Sequence, residues 1–439
     1  MRLHQPRRLC QLIALASSSL SVTTAMAAPN VQGGGSSLVA PAIGTIGIPA
    51  TEIGLFGTAE GSFTYYTVGS GAGQNAFLRN QSTFLSSGAT GPVYFANSDA
   101  ALTTYQVTSY QANVGTTSGP LIQIPYIVTP ITVPVVNGPA VTSTTTPQTT
   151  PGQAHSIALD DDDLCGIFSG KLTNWNQITN PETGSVYVLN EPIKVVYRSD
   201  GSGTTELLTR HLAAVCTTVN TATGATFVDS LTFSASFPGG VMPANFIAAT
   251  YSLGVRNALS SSIGTAFGYV AYLSPNYTNT FLAPSSTVVT SAGALQLPVA
   301  SLVNAKNGVY YAPTYANATM GLGTITPPMI RPTAANPVNW VDTRGSSVRN
   351  PTSGYPVSGM SYIILSQCYA DPAVGTAMHD FLNAHYTNAS FASIVRGNGF
   401  DTVPVTFQRA IANDFLSNVS TWNFDIGNTS VCTGMVTGR

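Results

Sequence analysis

Strand-like and helix-like apolar spacings alternate along this chain. In the stretch VVYRSDGSGTTELLTRHL, Val195, Val196 and Tyr197 read as a short buried strand, and Leu207, Leu208, His211, Leu212 and Val215 return at helical spacing. Between them Gly201 and Gly203 permit a tight turn, and Ser202 suits a helix N-cap. A strand, a glycine turn and a helix start leave several backbone N–H groups aimed at one point, which makes an anion site. The same patterning predicts a helix near Asp163–Ser169 and strands over Phe63–Val68, Ile193–Tyr197, Thr265–Tyr272 and Tyr362–Ser366. A helix over Val374–Ala384 follows the last of these. Leu121–Val136, β-branched and broken by prolines, predicts an extended edge or crossover segment. Asn137–Gln153 is rich in Thr, Pro and Gly and predicts an exposed loop, while Lys306–Asn339 carries prolines and no clear period. The alternation gives a mixed α/β class without internal repeats.

Arg2, Arg7 and Arg8 precede an apolar stretch near Leu9–Ala16, and Ala25-Met26-Ala27 is a small-residue cleavage signal, so residues 1–27 read as a secretory signal peptide. Arg7-Arg8 also fits a twin-arginine leader, although such pairs are common in ordinary leaders. No later stretch reaches the roughly 20 apolar residues of a spanning helix, and the mature chain is expected not to span a membrane. Losing three arginines takes the formal charge from −2 to −5. That mild acidity, with Lys171, Lys194 and Lys306 the only lysines, argues against nucleic acid or an anionic membrane as partner. Long-range charge cannot recruit an anion to such a chain, so local dipoles and one arginine must hold it.

Cys10 leaves with the leader, and Cys165, Cys216, Cys368 and Cys432 remain. An even number, far apart in an exported chain, predicts two disulfides. Sequence allows three pairings. The local one, Cys165–Cys216 with Cys368–Cys432, closes two loops, each stabilising by roughly 4 kcal/mol in the chain-entropy model. His155, His211, His379 and His385 have no metal-ligand spacing, and His211 on an apolar helix face reads as structural. Asp160–Asp163 precede a helical segment, where the helix dipole favours acids. Neither GSGAG nor GIFSGKLT has the spacing of a dinucleotide or P-loop motif. No cofactor is expected.

Three glycine turns each carry serine: GGGSSLVAP at Gly33–Pro41, VGSGAGQNAFL at Val68–Leu78, and RSDGSGTT. Taken with NSDAAL, they resemble the phosphate-binding proteins of phosphate ABC transporters. LCGIFSGKLTNWNQIT, SQCYA and GNTSVCTG resemble the DING-type branch in particular. The likeness runs from about Gly33 to about Gly434. It implies a type II periplasmic-binding-protein fold, two α/β lobes joined by a hinge with the anion between them. One lobe is expected from 28–125 and again from 351–439, the other from 126–350. Carried over by motif, the phosphate ligands fall on Ser37, Leu38, Ser70, Asp99, Arg198, Ser202, Gly203 and Thr204, with Asp200 orienting Arg198. The four cysteines fall at family disulfide positions in the local pairing. There are departures: Asn30-Val31-Gln32-Gly33 replaces Asp-Ile-Asn-Gly, Ser37 replaces a usual threonine, Asp200 replaces a frequent glutamate, and the Thr/Pro-rich loop and the segment near Lys306–Asn339 are extended.

Asp99 carries a physical argument of its own. A carboxylate beside a dianion repels it unless the ligand still has a proton to donate. Hydrogen phosphate has one, and sulfate at neutral pH does not. The resemblance therefore implies a monomeric exported protein, periplasmic or secreted, that sequesters inorganic phosphate, with a transporter permease as a further partner. A secreted DING-type phosphomonoesterase is the alternative, and the Thr/Asn-rich, lysine-poor composition raises a surface or adhesive role as a third reading.

Overall fold

A computed structural model describes residues 28–280, 295–343 and 347–439; the leader and its cleavage signal lie outside these described residues. Two main sheets organise the chain. The strands of the first are β1 (Asn30–Gly35), β2 (Ser62–Thr67), β3 (Phe95–Ser98) and β4 (Leu121–Pro130). The second sheet then takes β5 (Val135–Val136), β6 (Ile193–Arg198), β7 (Phe246–Ala249) and β8 (Gly268–Ala271). The chain returns to the first sheet with β9 (Ser358–Ser366) and β10 (Asp401–Thr402). The orders are β10-β4-β9-β3-β1-β2 and β7-β6-β8-β5. β1 runs parallel to β2 and β3, and β6 runs parallel to β7 and β8. Their carboxyl ends are where open α/β sheets bind ligands.

The helices that position the cleft follow those strands. α1 (Ser70–Leu78) begins behind Gly69. α2 (Asp161–Ser169) carries a capping box between Asp160 and Asp163, so the acid run serves the helix start. α3 (Gly203–Val215) is capped by Ser202, whose side chain accepts from the Thr205 N–H at 3.1 Å. α4 (Tyr251–Ser260) follows β7.

Three sequence expectations are corrected. Leu121–Val136 is extended and holds the crossover to the second sheet, as one of the two expected readings had it, but it is no edge: all ten residues of β4 are buried, and it pairs with both β9 and β10 before the chain crosses at Ile131–Pro134. Pro125 is accommodated because the register with β9 shifts there. Asn137–Gln153 is irregular but not simply exposed. Thr146 and Thr149 are buried, and their hydroxyls donate to the carbonyls of Ser156 and Val299. The aperiodic 306–339 segment contains a strand, Val309–Tyr311, and the helix Tyr315–Leu322, capped by the Thr314 side chain. That helix already packs on β4 and β9, so the contacts of the first sheet resume ahead of residue 351, and β4 extends them past residue 125.

Disulfides join Cys165 to Cys216 and Cys368 to Cys432. The first links α2 to the end of α3. The second ties the irregular C-terminal segment to the end of β9. Among the described residues no helix is long and apolar enough to cross a membrane.

Candidate anion-binding site

The three glycine turns converge. β1 ends at Gly35, with φ of 138°, and turns into Ser36-Ser37-Leu38, where the Ser36 N–H donates to Asn97 O at 2.8 Å. β2 leads through Gly69, with φ of 82°, into Ser70 at the head of α1. β6 ends on Arg198 and leads through Asp200 and Gly201 into the head of α3. Contacts cross between the two sheets at these turns. The Gly71 N–H donates to Gly201 O at 3.0 Å, the Ser252 N–H to Ser37 Oγ at 3.0 Å, and Asn276 Nδ2 to Leu38 O at 2.9 Å.

Asp99, one residue past β3, is 2% exposed and lies directly against the α3 N-terminus. Its Oδ1 accepts from Ser36 Oγ at 2.6 Å and from Ser361 Oγ at 2.9 Å. Its Oδ2 has one long contact, 3.5 Å from Ser70 Oγ, while the Asp99 N–H donates to the same hydroxyl at 3.2 Å. Burial raises the Asp99 pKa, against the opposing pull of the Ser36 and Ser361 hydroxyls, Arg198 and Ser70. One carboxylate oxygen is thus saturated with donors and the other is left for a donor from elsewhere.

Arg198 is equally buried, at 2% exposure. Its Nε and Nη2 donate to the two Asp200 oxygens at 2.7 and 2.5 Å, and its backbone N–H donates to the Tyr272 hydroxyl at 2.9 Å. Asp200 also accepts from the Tyr251 N–H at 3.0 Å. Tyr251 adopts φ of 58°, an unusual conformation for a bulky side chain. The fork contact fixes the guanidinium plane and leaves Nη1 pointing elsewhere, 3.5 Å from Ser252 Oγ. Thr204, on the first turn of α3, is 1% exposed, and its hydroxyl has no hydrogen-bond partner among the described residues. A buried hydroxyl left so costs about 1–3 kcal/mol and points to a ligand.

The structure therefore gathers Ser37, Ser70, Asp99, Arg198, Asp200, Ser202, Gly203 and Thr204 at one crossing. Leu38 is there too, but its N–H donates to Ser36 Oγ at 3.1 Å within its own turn. Ser36, Ser361, Tyr251 and Ser252 were not singled out from sequence. Ser36 adjoins the residue that was, and β9 carries three serines, of which nothing local set Ser361 apart. Nothing in TYSLG marked Tyr251 or Ser252.

Gly203 explains itself by distance. A Cβ there would lie 2.6 Å from the Asp99 Cβ, 2.7 Å from Ser70 Oγ and 2.8 Å from the Ala100 nitrogen. Gly203→Ala is expected to hold the two sides apart, costing about 1–3 kcal/mol, as overpacking does. Anion affinity should fall by roughly fivefold to a hundredfold with little change in unliganded stability. Titration calorimetry beside thermal melting checks this, and an unchanged affinity would mean that the sides do not meet here.

The histidines lie in structural contacts. His211 faces Arg349 O and Asp161 Oδ1, each at 2.9 Å, and His385 faces Glu52 Oε1 and Tyr126 O at 2.7 and 2.8 Å. Among the described residues no three His, Cys, Asp or Glu side chains group as metal ligands.

Two sheets joined by crossing segments, with helix heads, turns and one arginine facing each other between them, define a two-lobed solute-binding protein. A family model described as a PBP superfamily domain matches residues 21–333. The chain is 35% identical over 435 residues to alkaline phosphatase L of Pseudomonas aeruginosa (strain UCBPP-PA14), covering 97% of this chain and 98% of that one. It is 33% identical over 377 residues to a phosphate-binding protein of an unknown prokaryotic organism, covering 84% and 92%. Its structure matches that of a high-affinity periplasmic phosphate-binding protein (PfluDING) bound with phosphate at pH 8.5. The TM-score is 0.73 at 32% identity, over 93% of this chain and 99% of that one. The chain belongs to the PBP superfamily, in its DING-type phosphate-binding branch.

Proposed function

We propose that this protein sequesters hydrogen phosphate between its lobes after export to the periplasm or the medium. Ser37, Ser70, Arg198, Ser202, Gly203 and Thr204 supply the donors, together with the turn at Leu38. Asp200 holds Arg198 in plane, and Asp99 accepts the ligand's proton. The lobes are built on the two main sheets, and the chain works as a monomer that hands phosphate to a transporter permease.

The observation that carries this reading is the buried Asp99 carboxylate set against a helix N-terminus. A helix head, hydroxyls and an arginine favour any oxyanion. A carboxylate among them disfavours every dianion without a hydrogen. Because Ser36 and Ser361 occupy Oδ1, the ligand's proton has Oδ2 to reach. The likeness to proteins named for phosphate binding supports the same substrate. The two disulfides fit an oxidising compartment.

Asp99→Asn tests the reading. The amide removes the acceptor but offers a donor, so phosphate affinity should fall modestly and sulfate should bind measurably. If the variant loses phosphate and still ignores sulfate, Asp99 is not the discriminator.

A hydrolase remains the second reading, favoured by the 35% identity to a protein named alkaline phosphatase L. Turnover of a phosphate monoester above about one per second, within the usual enzyme range, would replace the binding role with that one.

A further inference from the structure

The first sheet has two ends, and the anion cleft uses only one. β9 runs antiparallel to β3, with Tyr362 beside Ser98 and Leu365 beside Phe95, so Gln367 emerges at the end opposite Asp99. There a cavity of about 470 Å³ opens between the start of β4, the segment from Arg331 to Trp340, and the chain after Phe415. Four aromatic residues stand in its lining, beside aliphatic and polar ones. Trp340 meets Phe415 edge to face at 5.0 Å, Phe415 stacks with Phe424 at 6.3 Å, and Trp422 lies 5.9 Å from Phe424. At the mouth, the exposed Arg331 guanidinium sits 5.9 Å from the Phe424 ring centre. Among the described residues no carboxylate forms an ion pair with it.

The outer wall is irregular chain, yet it is fixed. Gln367 Nε2 donates to the carbonyls of Asn423 and Asp425 at 2.7 and 3.2 Å, and Gln367 O accepts from the Gly427 N–H at 2.8 Å. The Ile426 N–H donates to Phe415 O at 3.0 Å, and Cys368–Cys432 locks the far side. A segment this firmly tied holds Trp422 and Phe424 half-exposed over the cavity rather than letting them fold inward.

We propose that this cavity is a second binding site, for a small aromatic carboxylate. The volume lies in the range of small-molecule pockets. Flat aromatic walls favour a ring that can stack offset or edge-on. A guanidinium fork without an acid partner selects a carboxylate in particular, through two parallel hydrogen bonds. A neutral ring would leave that fork to water, and inorganic phosphate has no surface to place against the aromatic walls.

The test uses the full, oxidised protein saturated with phosphate, titrated calorimetrically with 1-naphthoate and, separately, with neutral 1-naphthamide. Naphthoate should bind about tenfold tighter than naphthamide, the worth of one charge-assisted contact. Arg331→Ala should remove that advantage, Arg331→Lys should restore part of it, and Trp422→Ala should weaken both probes. Phosphate affinity should stay the same in every variant. Equal binding of the two probes, no binding of either, or indifference to Arg331→Ala would overturn the proposal. Displacement of naphthoate by added phosphate would assign the probe to the cleft and overturn it as well.

Discussion

Arg198→Ala is expected to weaken phosphate binding by about thirtyfold to several thousandfold, equivalent to roughly 2–5 kcal/mol. Arg198 is buried, and with Asp200 it forms a fork that nearly cancels its long-range charge. Its contribution is therefore local: one rigid donor edge aimed into the cleft. Truncation removes that edge and also strands Asp200, which would keep only the Tyr251 N–H as a donor beside a bound anion. Both effects act in the same direction, so the loss should exceed that of any single hydroxyl in the site. Arg198→Lys should recover little, because an ammonium cannot hold both Asp200 oxygens and still present a planar edge. Titration calorimetry reads the difference, and a loss smaller than about threefold would remove Arg198 from the site.

The largest effect on stability should come from Arg210→Ala, about 3–5 kcal/mol. Arg210 lies on α3, and its Nη1 and Nη2 donate to the two Asp342 oxygens at 3.1 and 3.2 Å. Nη2 also donates to Ser358 O at 3.0 Å, and Asp342 Oδ2 accepts from the Met360 N–H at 2.8 Å. The pair ties the helix that caps the cleft to the long strand of the other sheet, with both charges out of water. Removing the arginine takes its donors from the buried Asp342 carboxylate and from Ser358 O. Replacing both partners, as Arg210→Met with Asp342→Leu, should recover part of the loss, since two apolar groups need no solvation. Denaturant unfolding checks both, and a single-variant cost below about 1 kcal/mol would contradict the account.

The part of the candidate site at the head of α3 was legible in sequence because it is local, while Ser37, Leu38, Ser70 and Asp99 entered only through the family resemblance. A glycine turn between a strand and a capped helix is written within eight residues, as in RSDGSGTT, and the backbone donors follow from it. The strands and helices around that turn were legible for the same reason. What sequence left hidden depends on distant partners. Ser36 and Ser361 meet on Asp99 only because β9 returns beside β3 after 262 residues. That β4 is held inside the first sheet by pairing on both sides runs against the local message of its prolines. Tyr251 is held at positive φ where its N–H reaches Asp200, and no composition rule reports that. The aromatic cavity was invisible too, since Trp340, Phe415 and Phe424 share no period and are gathered by a disulfide and one glutamine.

The most direct test compares phosphate with sulfate on the unaltered protein across pH. At neutral pH, phosphate at 100 times its dissociation constant should add about 2.7 kcal/mol of stability, and sulfate at the same concentration should add almost none. The sign with pH follows from burial. The raised Asp99 pKa means that its charged form costs the folded protein stability, and the cost is relieved as pH falls through that pKa. Once protonated, Asp99 becomes a donor, so sulfate should begin to bind as the solution is acidified. Equal stabilisation by both anions at neutral pH, with no change for sulfate on acidification, would contradict the claim that this cleft reads the proton on its ligand.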